Sequence, residues 1–353
     1  MSLNTITAQA LLSCLNDFDT IIDARSEGEY ALDRLPGAEN WPTLNNQERI
    51  SVGTCYKQVS AFEARKMGAA MAARNIAMHI ERLAVDKPKD WKPMAYCWRG
   101  GKRSSSLALV LDQIGFRVTL LEGGYKSFRA AVLPEIDRLA HAFCWRVVTG
   151  TTGSGKTRLL HALHAQGAQV LDLEGLANHR SSVLGAIPGI AQPSQKRFDT
   201  RIWQALSAFD SGRPVYVESE SKKVGNVAIP DVLIQAIRES ACINLQMADE
   251  QRVDLLMQDY DFFIQNAEAF CERLDTLVQI RGKAVIESWK TSVRSGSFEP
   301  VVKALLTEHY DPVYLMSMQR NFRQYPDASQ VVAKNCSNAA MMELAKDLLA
   351  TQE

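Results

Sequence analysis

The sequence predicts an α/β fold in two domains, residues 1–135 and 143–353. Three observations lead there. Short apolar strand candidates alternate with amphipathic helical stretches, the pattern of parallel sheets. The alternation restarts after residues 135–143 with a fresh strand, turn and helix. At 353 residues and 46% hydrophobic side chains, the chain is about two domains long and apolar enough for two cores.

In the first domain, strands are expected at 20–24, 93–97 and 117–121, with helices over 61–85 and 104–114. A helix over 133–142 hands over to the second domain. That domain opens with a strand at 143–149, a Gly-rich turn, a helix over 158–166 closed by Gly167, and a strand at 169–173. Together these make a βαβ unit of about 30 residues. A strand at 214–218 fits the same sheet. From Met247 onward the pattern is mainly helical, and the mixed acidic and apolar run 254–270 reads as a surface helix burying its Leu, Phe and Tyr face.

Composition narrows the function. The 40 basic and 40 acidic side chains cancel, so a nucleic-acid partner would be held by a local basic patch and not by the chain's overall charge. No apolar run approaches the roughly 18 residues of a membrane span, and the first residues lack the basic and apolar regions of a signal peptide. A cytoplasmic location without membrane association is expected. The 7 cysteines are scattered and include no Cys-x-x-Cys pair, which argues against a disulfide framework and against zinc. His161, His164 and His179 lack the carboxylate or cysteine neighbours of a metal site, and no metal is expected there.

The first chemical signal is Tyr96-Cys97-Trp98-Arg99-Gly100-Gly101-Lys102-Arg103-Ser104, between an apolar strand and an apolar helix. A cysteine at that strand end lies under a helix N-terminus. The paired glycines let the backbone curl so that N–H groups converge on the sulfur, and Arg99, Lys102 and Arg103 add positive charge. Such a cradle favours the nucleophilic thiolate on an exposed sulfur, with Cys97, Arg99 and Arg103 as the catalytic candidates.

The second signal is Gly150-Thr151-Thr152-Gly153-Ser154-Gly155-Lys156-Thr157, which matches the phosphate-binding P-loop between a strand and a helix. Gly150, Gly153, Ser154 and Gly155 would offer backbone N–H groups to a di- or triphosphate. Lys156 would reach the terminal phosphates, and Thr157 would suit magnesium. Asp172 and Glu174, at the next strand's end, are candidate magnesium or substrate contacts, as are Glu218 and Glu220 further on. No Asn-Lys-x-Asp motif is present, which argues against a switch GTPase. The cluster Lys196, Arg197 and Arg201 offers a candidate track for RNA phosphates.

The stretches Ile21-Ile22-Asp23-Ala24-Arg25-Ser26-Glu27-Gly28-Glu29-Tyr30 and Leu121-Glu122-Gly123-Gly124-Tyr125 resemble the entry and exit motifs of rhodanese domains. The resemblance implies a rhodanese-like parallel sheet and a chalcogen carried on Cys97. Five residues separate Cys97 from Arg103, one more than in the common rhodanese loop and as many as in cysteine phosphatases of this fold. That spacing suits a phosphate-like tetrahedral group. A rhodanese-like domain ahead of a P-loop NTPase-like domain resembles the bacterial tRNA 2-selenouridine synthase family over nearly the whole chain. Val52-Gly53-Thr54-Cys55-Tyr56-Lys57-Gln58, the stretch from Asp172 through Arg180, and Tyr310-Asp311-Pro312-Val313-Tyr314 agree.

This resemblance implies a transferase that replaces sulfur by selenium in the wobble 2-thiouridine of tRNA, by way of a geranylated intermediate. Selenophosphate and geranyl diphosphate would be substrates, with no tightly bound cofactor and with magnesium compatible. The alternative is a phosphatase using Cys97 and Arg103, with the second domain as a regulatory nucleotide-binding module.

Overall fold

The computed structural model describes residues 3–180, 185, 187 and 189–351. They form two compact units. The first comprises residues 1–138 and 193–207, and the second 139–192 and 208–353.

The first unit is built on five parallel strands: β1 (Asn4–Ile6), β2 (Thr20–Asp23), β3 (Ala38–Asn40), β4 (Pro93–Tyr96) and β5 (Thr119–Leu121), in the order β1-β5-β4-β2-β3. β2 and β4 are buried throughout, as strands covered on both faces are, and β2 buries the polar Thr20 and Asp23 beside its two isoleucines. Ile22, Trp41, Trp91, Leu107 and Leu111 share the core. Between the strands an Asp23–Arg25 ion pair is wholly buried, with Arg25 Nη2 2.6 Å from Asp23 Oδ2. The guanidinium lies 4.0 Å from the centre of the Tyr125 ring, and Tyr96 donates to Asp23 at 2.7 Å. Burial opposes the charge on Arg25, but the hydrogen bonds and charge of Asp23 hold it firmly protonated. Removing either partner alone would strand a buried charge at about 3–5 kcal/mol.

The helix Gln195–Ser207 is the departure from the expected division, which placed it in the second domain. It groups with the first unit. Its amphipathic pattern gives the reason: Phe198, Ile202, Trp203 and Leu206 are buried along one stripe. Trp203 meets Phe128 edge to face at 5.6 Å, and Asp199 pairs with Arg129 at 2.7 Å.

The second unit carries β6 (Trp145–Thr149), β7 (Gln169–Leu171), β8 (Val215–Glu218), the short hairpin of β9 (Lys223–Val224) and β10 (Val227–Ala228), then β11 (Ala241–Gln246) and β12 (Gln324–Val332). The main sheet is parallel in the order β12-β11-β6-β8-β7. Helices Lys156–Ala165 and Asn338–Ala350 cover one side, joining Leu159, Leu163, Met341 and Ala345 to the sheet's Val148 and Tyr216. Most of the chain from Asp249 to Asn321 is helical, around Phe263, Phe270, Leu274, Ile286 and Trp289. The strand β12 interrupts the helical pattern expected beyond Met247. No helix among the described residues is long and apolar enough to cross a membrane.

Candidate active site

Cys97 follows directly on β4, and the helix Lys102–Ile114 begins five residues later. The Gly101 N–H donates to Cys97 Sγ at 3.2 Å, and the Ser104 hydroxyl donates to it at 3.1 Å. The sulfur is not exposed as expected: Cys97 is 3% exposed, because strand end and helix start close over it. Ser104, wholly buried, is a hydrogen-bond donor to the sulfur that the loop sequence does not announce. Arg99 and Lys102 stand exposed around the loop. Arg103 turns to Glu29, at 2.7 Å. Burial works against the charge on Glu29, yet the Arg103 hydrogen bond and charge, with the Ser26 N–H, hold its carboxyl below the usual range.

The exit motif is the loop's backing. Tyr125 N–H donates to Cys97 O at 2.8 Å and Lys126 N–H to Trp98 O at 3.0 Å. Gly124 lies at φ +60°, and a Cβ there would come within 2.5 Å of Gly100 N. Only glycine combines that left-handed backbone with so close an approach. Trp98 tilts against Tyr125, and Lys196 Nζ lies 5.6 Å from the Trp98 ring centre. Lys196, Arg197 and Arg201 therefore belong to the thiol-bearing unit. Arg197 donates to Arg34 O at 3.2 Å, and burial, then the positive charge of Arg34, lowers its pKa.

In the second unit the P-loop turns from β6 into the helix Lys156–Ala165, with Gly153 and Gly155 at φ +78° and +85°. Lys156 Nζ donates to Gly150 O at 2.8 Å and lies 3.5 Å from Glu218 Oε1, while Thr157 donates to Glu218 Oε2 at 3.0 Å. Burial opposes the charge on Lys156, but Glu218, Tyr314, Glu220 and Glu174 outweigh it and raise the pKa. The loop borders a cleft of about 620 Å³ that also takes in Asp172, Glu174, His179 and Glu220. Carboxylate oxygens of Glu174, Glu218 and Glu220 lie within 4.8 Å of one another. Asp172 borders the cleft but uses its carboxylate to cap the helix Leu173–Ala177, accepting from Gly175 N–H at 2.8 Å.

Residues distant in sequence hold this loop. The Gly150 N–H donates to Tyr314 Oη at 2.7 Å, and Tyr314 Oη lies 2.9 Å from Ser219 Oγ. Arg252, buried, donates to Thr152 O at 2.9 Å and forks onto Asp311. Asp311 and Tyr314 thus give structural meaning to the stretch Tyr310–Tyr314. An apolar cavity adjoins the cleft and shares Thr152, Leu256, Tyr260 and Tyr310 with it. Nothing in the sequence pattern indicates this cavity, since its walls are gathered from several helices.

A rhodanese-type thiol cradle carried with a Walker-type phosphate loop defines a two-domain α/β enzyme of the group-transfer class. Residues 7–131 match the model of the rhodanese-like domain, and residues 144–276 match that of the tRNA 2-selenouridine synthase AAA domain. A tRNA 2-selenouridine synthase of Marinobacter nauticus is 31% identical over 85% of this chain and 88% of its own length. One from Nitrosomonas europaea is 37% identical over 68% of this chain and 63% of its own. The chain belongs to the tRNA 2-selenouridine synthase family.

Proposed function

We propose that the protein modifies tRNA in the cytoplasm in two steps, geranylating the wobble 2-thiouridine and then replacing its sulfur by selenium. In the first step the thiouridine sulfur attacks carbon 1 of geranyl diphosphate; the carbon–sulfur bond forms, the carbon–oxygen bond breaks, and diphosphate leaves. In the second, selenium from selenophosphate bonds to the sulfur-bearing carbon as the carbon–sulfur bond breaks and geranyl thiol departs. Water then cleaves the phosphorus–selenium bond to give phosphate.

The observation that carries this reading is the pairing of phosphate cleft and apolar cavity along shared walls. A nucleoside triphosphate has no use for the cavity. A diphosphate ester with an apolar tail fills both, its head against the loop's N–H groups and Lys156. Magnesium fits the donor set there: Thr157, Glu218 and the neighbouring Glu174 and Glu220 are the hard oxygen ligands it takes, and it would neutralise diphosphate charge. The Cys97 cradle, donating hydrogen bonds to sulfur, suits the selenium step. Exposed Arg99 and Lys102 supply positive charge beside it for an anionic donor and for the tRNA backbone.

Lys156→Ala tests the assignment of steps. With 2-thiouridine tRNA, geranyl diphosphate and selenophosphate, the variant should leave 2-thiouridine unmodified, visible by chromatography of digested tRNA. Accumulation of the geranylated nucleoside would instead put the P-loop in the second step.

A further inference from the structure

The cavity beside the P-loop has a measurable depth. Phe298, Val302, Leu306 and Tyr310 all border it, and they follow one another at four-residue spacing along a continuous helical path through Phe298–Ala304 and Leu305–Tyr310. Residues so spaced form one stripe. Tyr310 also borders the phosphate cleft, whereas Phe298 does not, so the stripe starts at the diphosphate end and leads away from it. At about 1.5 Å per residue the path from Tyr310 to Phe298 is at most roughly 18 Å, and shorter where Leu305–Tyr310 is wound as a π-helix.

The far end is closed by rings. Phe298 stacks on Phe270 with centroids 6.3 Å apart and planes 10° apart, and Phe270 stacks on Phe263 at 5.2 Å. We propose that Phe270 and Phe298 form the floor that sets the length of the prenyl tail this enzyme accepts, the Phe298 ring filling the last turn of the stripe so that the two steps from Tyr310 to Val302 accommodate about one isoprene unit each. This deepens the reading of the cleft as a prenyl diphosphate site and rests on it. The bonds made and broken at carbon 1 are the same whatever the tail, so only the fit of the far carbons changes.

The test is a competition between prenyl diphosphates with tails of five, ten and fifteen carbons, using the full chain and 2-thiouridine tRNA, with product nucleosides resolved by mass. The wild type should favour ten carbons. Phe298→Ala removes a partly buried ring at a helix start and should raise the fifteen-to-ten product ratio by about tenfold or more, the scale on which pocket size discriminates apolar groups. Val302→Phe raises the floor by one turn and should shift preference to five carbons by a similar factor. If Phe298→Ala does not fold, Val302→Phe decides alone. Unchanged ratios in a folded variant would overturn the floor while leaving the diphosphate site standing. No prenyl transfer by the wild type from any donor would overturn the site itself.

Discussion

Replacing Gly124 by alanine introduces a single methyl group at the place where the exit motif backs the thiol loop. The backbone there has φ +60°, which costs a non-glycine residue roughly 1–2 kcal/mol. The new Cβ would also lie 2.5 Å from Gly100 N and 3.1 Å from Arg99 N, both backbone atoms that no side-chain rotation can move aside. Overpacking of this kind costs roughly a further 1–3 kcal/mol. The sum is about 2–5 kcal/mol, drawn from the hydrogen bonds of Tyr125 and Lys126 that fix Cys97 O and Trp98 O. With a urea slope near 2 kcal/mol/M, the unfolding midpoint should fall by about 1–2.5 M. Selenium incorporation should be lost even in folded protein, since relief of the clash displaces the loop. Gly101→Ala is the control: nothing lies within 4 Å of its Cβ, its φ is −98°, and the N–H to Cys97 survives. Urea titration with selenonucleoside analysis checks both variants. Wild-type midpoint and selenation in Gly124→Ala would refute the claim that this glycine positions the loop.

Cys97→Ser should abolish selenation while geranyl-thiouridine accumulates; normal selenouridine would remove Cys97 from the chemistry. Glu29→Gln should flatten the acid limb of stability. The lowered carboxyl pKa means that the ion pair with Arg103 contributes fully above the ordinary value near 4.5 and vanishes as pH falls through the depressed one, so melting temperatures of wild type and variant should converge towards low pH. Replacing Lys196, Arg197 and Arg201 together by glutamine should weaken tRNA binding and reduce the logarithmic salt slope by about 0.7–0.9 for each phosphate no longer neutralised. Geranyl diphosphate affinity should not change. An unchanged slope in filter binding would leave the cluster a packing role, of the kind Arg197 already shows against Arg34 O.

Both chemical loops are legible in the sequence because each is compressed into fewer than ten consecutive residues whose backbone geometry their glycines announce. What supports them is not. Tyr314 meets Gly150 across 164 positions, and Asp311 reaches the P-loop through Arg252. The stretch 310–314 stands out as a motif, but no local pattern says what it touches. Asp172 and Glu174 look equivalent in the sequence, yet the helix that begins at Leu173 takes the first as its cap and leaves the second beside Glu218 and Glu220. The strand β12 is hidden because Pro326, Asp327 and a run of polar residues suit an edge strand, where only Ala328 is buried. Helix Gln195–Ser207 displays its apolar stripe openly, but a stripe does not name the surface it will cover.

That helix has a consequence for the order in which the chain becomes structured during synthesis. The polypeptide passes between the units after residues 138, 192 and 207. Asp33 accepts from Tyr125 Oη at 2.7 Å and from Thr200 Oγ1 at 3.0 Å, so the last of its partners is made long after the first strands. Domains emerging from a ribosome generally fold as they appear. Here the earlier unit must wait, holding Phe128 without its Trp203 neighbour, until the phosphate loop and the strand after it have been translated. A cell therefore cannot complete the thiol-bearing unit of this enzyme without having made the beginning of the other.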